Sequence, residues 1–143
     1  MEGLSSDEVV HNPPMGSYTK KNLRDVENQA PKFGMPGELD ARFARTPLEG
    51  DSLGLSILKL DPGIRMPFGH KHTGQEEVYV VVRGSGRVKV DDEIVELQEW
   101  DAIRFDNDTM RNMEAGPEGI EYLAFGAGDD PTDAEMVPGW WSD

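Results

Sequence analysis

The chain contains no cysteine, which excludes disulfide scaffolds, thiolate zinc sites and cysteine nucleophiles. It also lacks a long apolar run. The longest aliphatic or aromatic stretch is Val78–Val82, whereas a transmembrane helix needs ~20 such residues. The first residues are acidic and have no apolar segment, so we expect no signal peptide and no membrane partner. These absences together predict a cytoplasmic protein.

Basic side chains are scarce as well. Lys and Arg total 14 against 28 Asp and Glu, so the formal net charge is −14 at pH 7. No base follows Arg111, and residues 128–143 are predicted to form an acidic tail with Trp140 and Trp141. A chain of this charge repels phosphate backbones and anionic headgroups, which argues against DNA, RNA and membrane surfaces as partners.

The chain has 143 residues, a length typical of one domain, and its 16 glycines and 10 prolines predict many turns. Prolines recur through residues 1–50, which predicts an irregular N-terminal arm. The arm is expected to be partly disordered or packed on a partner subunit or on the small β-barrel expected for residues 51–127. One helical turn is expected at Glu38–Ala44, because Leu39 and Phe43 lie four residues apart. We expect the tail tryptophans to dock on their own chain, with a cap over a barrel mouth or a contact with a second subunit as alternatives.

Residues 51–127 show the period-two alternation of strands with one buried face. Short strands at regular spacing, separated by Gly, Pro and Asp turns, indicate an all-β sandwich or small barrel. The predicted strands are Leu53–Leu58, Glu77–Arg83, Arg87–Val90, Glu93–Leu97, Ala102–Phe105 and Ile120–Phe125.

Two of the three histidines, His70 and His72, are separated by a single lysine. In an extended segment they point to the same side, and Glu77 follows at the start of the next predicted strand. Two imidazoles and a carboxylate are suitable ligands for a divalent transition metal with open coordination positions. The three residues are therefore a candidate metal site.

The surrounding segment resembles the first motif of the cupin superfamily. That motif contains a glycine, two histidines separated by one residue, a glutamate after three or four further residues and a glycine after six more. Its counterparts in this chain are Gly63, His70, His72, Glu77 and Gly84. The resemblance covers roughly residues 50–127. It implies an antiparallel double-sheet jelly-roll barrel, a homodimer, a small-molecule ligand or substrate, and one divalent ion (Fe, Mn, Ni, Cu or Zn) held by His70, His72 and Glu77.

The second cupin motif departs from the family pattern, because Arg111 lies at the position of the fourth metal ligand. A guanidinium carries only donors and stays charged, so it cannot ligate a metal. Three arrangements remain open. In the first, Arg111 turns away or binds an anionic ligand, which leaves the other three residues to hold a metal. In the second, Arg111 pairs with Glu77 and replaces the metal. In the third, a neighbouring residue supplies the missing metal contact. The candidates for that contact are Gln75, Glu76 and Met113.

Two functions follow from these arrangements. The first is a metal-dependent enzyme acting on a small polar organic molecule by oxygenation, isomerisation or lyase chemistry, with Tyr79 and Arg111 positioning the substrate. The second is a metal-free, non-catalytic binding protein that uses Arg111 and Glu77 to hold a small ligand. An arginine can grip a carboxylate or phosphate in bidentate fashion, which favours such a ligand. The sequence does not decide between them, because function depends on the site rather than the fold.

Overall fold

The computed structural model describes residues 9–11, 16–128 and 132–143. In these residues the strands are β1 (Val9–His11), β2 (Ser17–Thr19), β3 (Leu39–Phe43), β4 (Leu53–Leu60), β5 (Phe68–His72), β6 (Glu76–Val90), β7 (Glu93–Leu97), β8 (Ala102–Phe105), β9 (Arg111–Ala127) and β10 (Ala134–Pro138). Two short 3₁₀ turns occur at Leu23–Asp25 and Ala30–Phe33. No helix in the described residues is long and apolar enough to cross a membrane.

Strands β3 to β10 form one antiparallel sheet that curls on itself, and β1 and β2 form a separate hairpin. The sheet path runs β10-β5-β9-β4-β3, while β6 pairs with β7, β8 and β9. The curl is visible in β9, whose first residue pairs with both β5 and β6 and whose last eight residues pair with β4. The prediction of an all-β antiparallel barrel is confirmed.

The core lies between the curled faces and is filled by aliphatic, aromatic and methionine side chains. Val81 and Val88 of β6 are fully buried, as is Phe105 of β8. Tyr79 packs against Phe105 and Tyr122, with ring centroids 4.9 and 5.0 Å apart. The two strands predicted at Glu77–Arg83 and Arg87–Val90 are parts of the single strand β6, and β8 has the predicted bounds Ala102–Phe105.

The helical turn predicted at Glu38–Ala44 is wrong, because this segment contains strand β3. Leu39 and Ala41 are buried, whereas Asp40 and Arg42 are partly exposed, which is a period of two. Leu39 pairs with Leu60, so hydrogen bonding and burial against β4 override the local helical spacing. Disorder is expected in about the first dozen residues of the arm, but Val9–His11 form strand β1, and residues 1–8 lie outside the described ranges.

The C-terminal segment docks on its own chain, as expected for the tryptophans. Strand β10 pairs with β5 along its whole length. Trp141 is only 5% exposed and stacks against the guanidinium of Arg65 at 4.0 Å. Trp140 packs so closely on β5 that a Cβ at Gly69 would lie 2.7 Å from its ring. The tail is therefore joined to the strand that carries the paired histidines.

Candidate metal centre

The structure brings the three predicted ligands together. His70 and His72 are on β5, and Glu77 is near the start of β6, across the turn that joins these strands. His70 Nε2 lies 3.6 Å from Glu77 Oε1, and His72 Nε2 lies 3.4 Å from Glu77 Oε2. One ligand atom from each residue falls within 4.8 Å of the others. This spacing places three donor atoms around a common point.

Arg111 makes the contact with Glu77 that belongs to the second of the three arrangements left open by the sequence, and whether a metal is replaced stays a prediction. Its Nη2 donates a hydrogen bond to Glu77 Oε1, and its Nη1 donates to the backbone oxygen of Thr109 at 2.9 Å. The side chain is 1% exposed, and its guanidinium carbon lies 4.8 Å from the centre of the Phe105 ring. Its Nε is a buried donor without a hydrogen-bond partner among the described residues. Among the described residues, the Nε donor of Arg111 thus has no hydrogen-bond acceptor.

The residues considered as substitutes for the missing ligand have other contacts. Glu76 pairs with Arg104 at the surface, with 3.1 Å between the charged atoms. Met113 is buried within the apolar core. Gln75 is buried and donates a hydrogen bond to Asp133 Oδ1 at 2.9 Å. The candidate metal site therefore consists of the two histidines and Glu77.

Asp133 is a part of the site that the sequence analysis missed. Its Oδ1 lies 2.7 Å from His72 Nδ1, and its Oδ2 accepts a hydrogen bond from the backbone N–H of Gly74 at 2.8 Å. The side chain is 8% exposed. It reaches His72 because β10, which begins at the next residue, pairs with β5. In the sequence Asp133 is one of several acids in the tail, and no local pattern distinguishes it from a solvated charge.

The electrostatics of the site follow from burial and from these contacts. Burial lowers the pKa of His70. Burial also opposes the charged form of His72, but its hydrogen bonds to Glu77 and Asp133 raise its pKa overall. Although burial disfavours its charged form, contacts with the two histidines and the charge of Arg111 hold the pKa of Glu77 well below its ordinary value. Glu77 is therefore a carboxylate at neutral pH.

Tyr79 shares a face of β6 with Glu77, as the sequence predicts. Its ring is 4% exposed, and its hydroxyl lies 3.5 Å from His70 Nε2. Burial raises its pKa, so the hydroxyl stays protonated. One cavity of about 550 Å³ is lined by all five predicted site residues: His70, His72, Glu77, Tyr79 and Arg111. The predicted metal and substrate residues thus face the same space.

Residues 56–123 match the family model of the cupin domain. A cupin protein from Bacteroides fragilis superposes with a TM-score of 0.64 at 22% identity, over 88% of this chain and 97% of its own. Oxalate decarboxylase from Bacillus subtilis gives a TM-score of 0.67 at 20% identity, over 95% of this chain and 33% of its own. The DMSP lyase DddQ from Ruegeria pomeroyi gives 0.60 at 16% identity, over 81% and 58%. No curated protein sequence matches the chain significantly. At these identities the structural likeness shows the fold.

Proposed function

Because residues 56–123 form a cupin domain, we propose that His70, His72 and Glu77 hold a divalent transition metal and that the barrel binds a small organic anion beside it. Arg111 and Tyr79 orient that anion. The observation that carries the proposal is the hydrogen bond between His72 Nδ1 and Asp133. A carboxylate behind an imidazole is the arrangement in which metal-bound histidines are commonly found.

The hydrogen bond matters because it selects the tautomer of His72. An imidazole that donates from Nδ1 carries its lone pair on Nε2, and this atom lies 3.4 Å from Glu77 Oε2. Two acceptors that face each other repel unless a cation lies between them. A divalent ion bound to both atoms removes that repulsion.

The charges around the site favour an anionic ligand. Glu77 and Asp133 supply two negative charges, and Arg111 supplies one positive charge. A divalent ion with two neutral imidazoles would then leave a net positive charge in a buried cavity. A carboxylate would neutralise it and would give the Arg111 Nε donor an acceptor.

The donor set fits an ion of the Fe, Mn, Ni, Cu or Zn class. Two histidines and one carboxylate bind such ions and leave coordination positions open. A bound ion of this kind supplies Lewis-acid polarisation of a ligand oxygen. The chain's own residues would position the ligand. Arg111 would bind and orient the anion, and the Tyr79 hydroxyl would donate a hydrogen bond within the cavity.

A second candidate function is non-catalytic, metal-free binding of a small polar ligand by Arg111 and Glu77. The hydrogen bond from Arg111 Nη2 to Glu77 Oε1 favours it, because this contact already gives Glu77 a cationic partner. Here the cation between His72 and Glu77 is a proton on Nε2, in agreement with the raised pKa of His72.

Elemental analysis of protein purified without an affinity tag or chelator separates the two functions. We expect about one equivalent of a transition metal per chain. The double variant His70→Ala/His72→Ala should lose it, while His11→Ala, which removes the remaining histidine, should keep it. A metal content near zero that persists after incubation with Fe, Mn, Ni, Cu and Zn would contradict the metal site and leave the metal-free function.

A further inference from the structure

The cavity that holds the candidate site is lined largely by apolar side chains. The N-terminal arm contributes Phe33, Met35 and Phe43, and the barrel contributes Met66, Phe68 and Met136 among others. Methionine and phenylalanine form walls that adapt to apolar ligands, because thioethers are flexible and polarisable and aromatic rings offer large surfaces. A ligand as small and polar as oxalate would leave these walls in contact with water.

The lining of the cavity has more positive than negative side chains, whereas the chain as a whole is strongly acidic. The formal net charge is −14, yet the charged side chains among the described residues of the lining are Arg45, Arg111 and one acid, Glu77. Arg45 Nη2 already donates to the backbone oxygens of Asp51 and Gly128. Arg111 has the donor without a partner, so the position for an anionic group lies beside the metal ligands.

Apolar side chains of the cavity also extend into solvent. Phe33 is 52% exposed, Phe43 is 38% exposed, and Met136 is 47% exposed. The two phenylalanine rings form an edge-to-face pair with centroids 5.9 Å apart. Exposed apolar side chains that continue a cavity wall mark a binding surface more often than exposed apolar side chains that stand alone.

We infer that the ligand is an amphipathic monocarboxylate, with its carboxylate at Arg111 and its aliphatic or aromatic body against Phe33, Met35 and Phe43. The inference rests on the proposed function for the position of the anionic group, while the apolar body depends on the cavity walls alone. The N-terminal arm thus serves as the specificity-determining wall of the barrel. A volume of about 550 Å³ is ample for such a molecule.

Isothermal titration calorimetry with acetate, butyrate, hexanoate and octanoate tests this inference. Each buried methylene contributes ~0.8 kcal/mol, so Kd should fall about fourfold per methylene and about fifteenfold for each step of two. The series is measured on metal-loaded protein and on chelator-treated protein. The dependence on chain length reports the apolar walls, whereas the difference between the two preparations reports the metal.

The outcomes separate this inference from the proposed function. A steep dependence on chain length in both preparations supports the amphipathic ligand, even if elemental analysis finds no metal. Equal affinities from acetate to octanoate on protein that does bind metal would overturn the inference and leave the metal site intact. Octanol in place of octanoate should bind far more weakly, and equal binding would overturn the assignment of the carboxylate to Arg111.

The variant Phe33→Ala tests the arm, because this exposed side chain can be truncated without disturbing the core. Octanoate affinity should fall about fivefold, while acetate affinity stays within twofold. Ile94→Ala removes a comparably exposed apolar side chain, 47% exposed on β7 and outside the cavity, and should change neither. If Phe33→Ala instead dissociates a dimer in sedimentation and leaves octanoate affinity unchanged, the exposed rim contacts a second copy and the inference is wrong.

Discussion

Asp133 Oδ1 lies 2.7 Å from His72 Nδ1, and Asp133 Oδ2 accepts a hydrogen bond from the backbone N–H of Gly74 at 2.8 Å. These two contacts fix both the tautomer and the position of the His72 ring. The variant Asp133→Asn keeps the size of the side chain but loses its charge and its constant acceptor role. We expect the affinity for a divalent metal to fall about 10–100-fold. Competition with a chelator of known affinity measures this change.

Glu135→Gln is the matched control for Asp133→Asn. Glu135 lies two residues further along the same segment, is exposed, and is 3.9 Å from Lys71. It should leave the metal affinity unchanged. If both variants bind metal as tightly as the original chain, Asp133 supports the fold but does not position His72 as a ligand.

Arg111 is the second side chain whose role can be tested alone. Arg111→His removes a cation from beside the candidate metal ligands and frees Glu77 Oε1 from its hydrogen bond. If the imidazole reaches the fourth-ligand position, metal affinity should rise at least about tenfold, or ~1.4 kcal/mol. Arg104→His replaces an arginine that pairs with Glu76 at the surface and should have no effect. Unchanged affinity in both variants would show that Arg111 does not occupy the fourth-ligand position.

The two kinds of site residue differ in how far the sequence predicts them. His70, His72 and Glu77 are close in the chain, and strand periodicity alone places the two imidazoles on one side. Asp133 reaches His72 only through the pairing of β10 with β5, which depends on long-range contacts. The sequence around Asp133 is generally acidic and contains no feature that indicates this pairing.

At the scale of elements, the long strand β6 depends on a glycine where its pairing with β9 shifts register. Gly84 has a φ of +79°, and a Cβ there would lie 2.0 Å from the backbone oxygen of Gly119. Gly84→Ala should lower the free energy of unfolding by about 2–5 kcal/mol, because it combines left-handed strain with a clash against backbone. Urea denaturation measures the difference.

Gly63→Ala separates the two causes. Gly63 has a similar φ of +72°, but a Cβ there would have no neighbour within 4 Å. Substitution of Gly63 by alanine should lower the free energy of unfolding only by the cost of the left-handed backbone conformation, about 1–2 kcal/mol. Equal losses for Gly63→Ala and Gly84→Ala would mean that the close approach of Gly84 to Gly119 is not what requires the glycine.

Strand β3 shows why some elements resist prediction. Leu39 and Phe43 have the spacing of a helical turn, but Leu39, Ala41 and Phe43 also alternate as in a strand. In five residues the two periods cannot be told apart, and pairing with β4 decides. The same pairing brings Ala41 and Phe43 to the cavity wall, so the contribution of the arm to the site was hidden as well.

At the scale of the whole molecule, the homodimer implied by the cupin resemblance remains a prediction, and the acidity of the chain makes it testable. Two copies that each carry a formal net charge of −14 repel each other at low ionic strength. Raising the salt concentration shortens the screening length from about 10 Å at 0.1 M to about 3 Å at 1 M. A dimer held by apolar contacts should therefore tighten as salt is added.

Sedimentation equilibrium at increasing NaCl concentrations measures this effect against the 15.9 kDa mass of one chain. We expect a dimer whose dissociation constant falls with salt, at least about tenfold between 0.05 and 1 M. Repeating the series with sucrose in place of NaCl separates screening from a general stabilisation of compact states. A dissociation constant that rises with salt would indicate an interface of ion pairs, and a single-chain mass at every concentration would exclude the homodimer. If the mass stays that of one chain and the same preparation binds metal and carboxylate, the candidate site functions within one barrel.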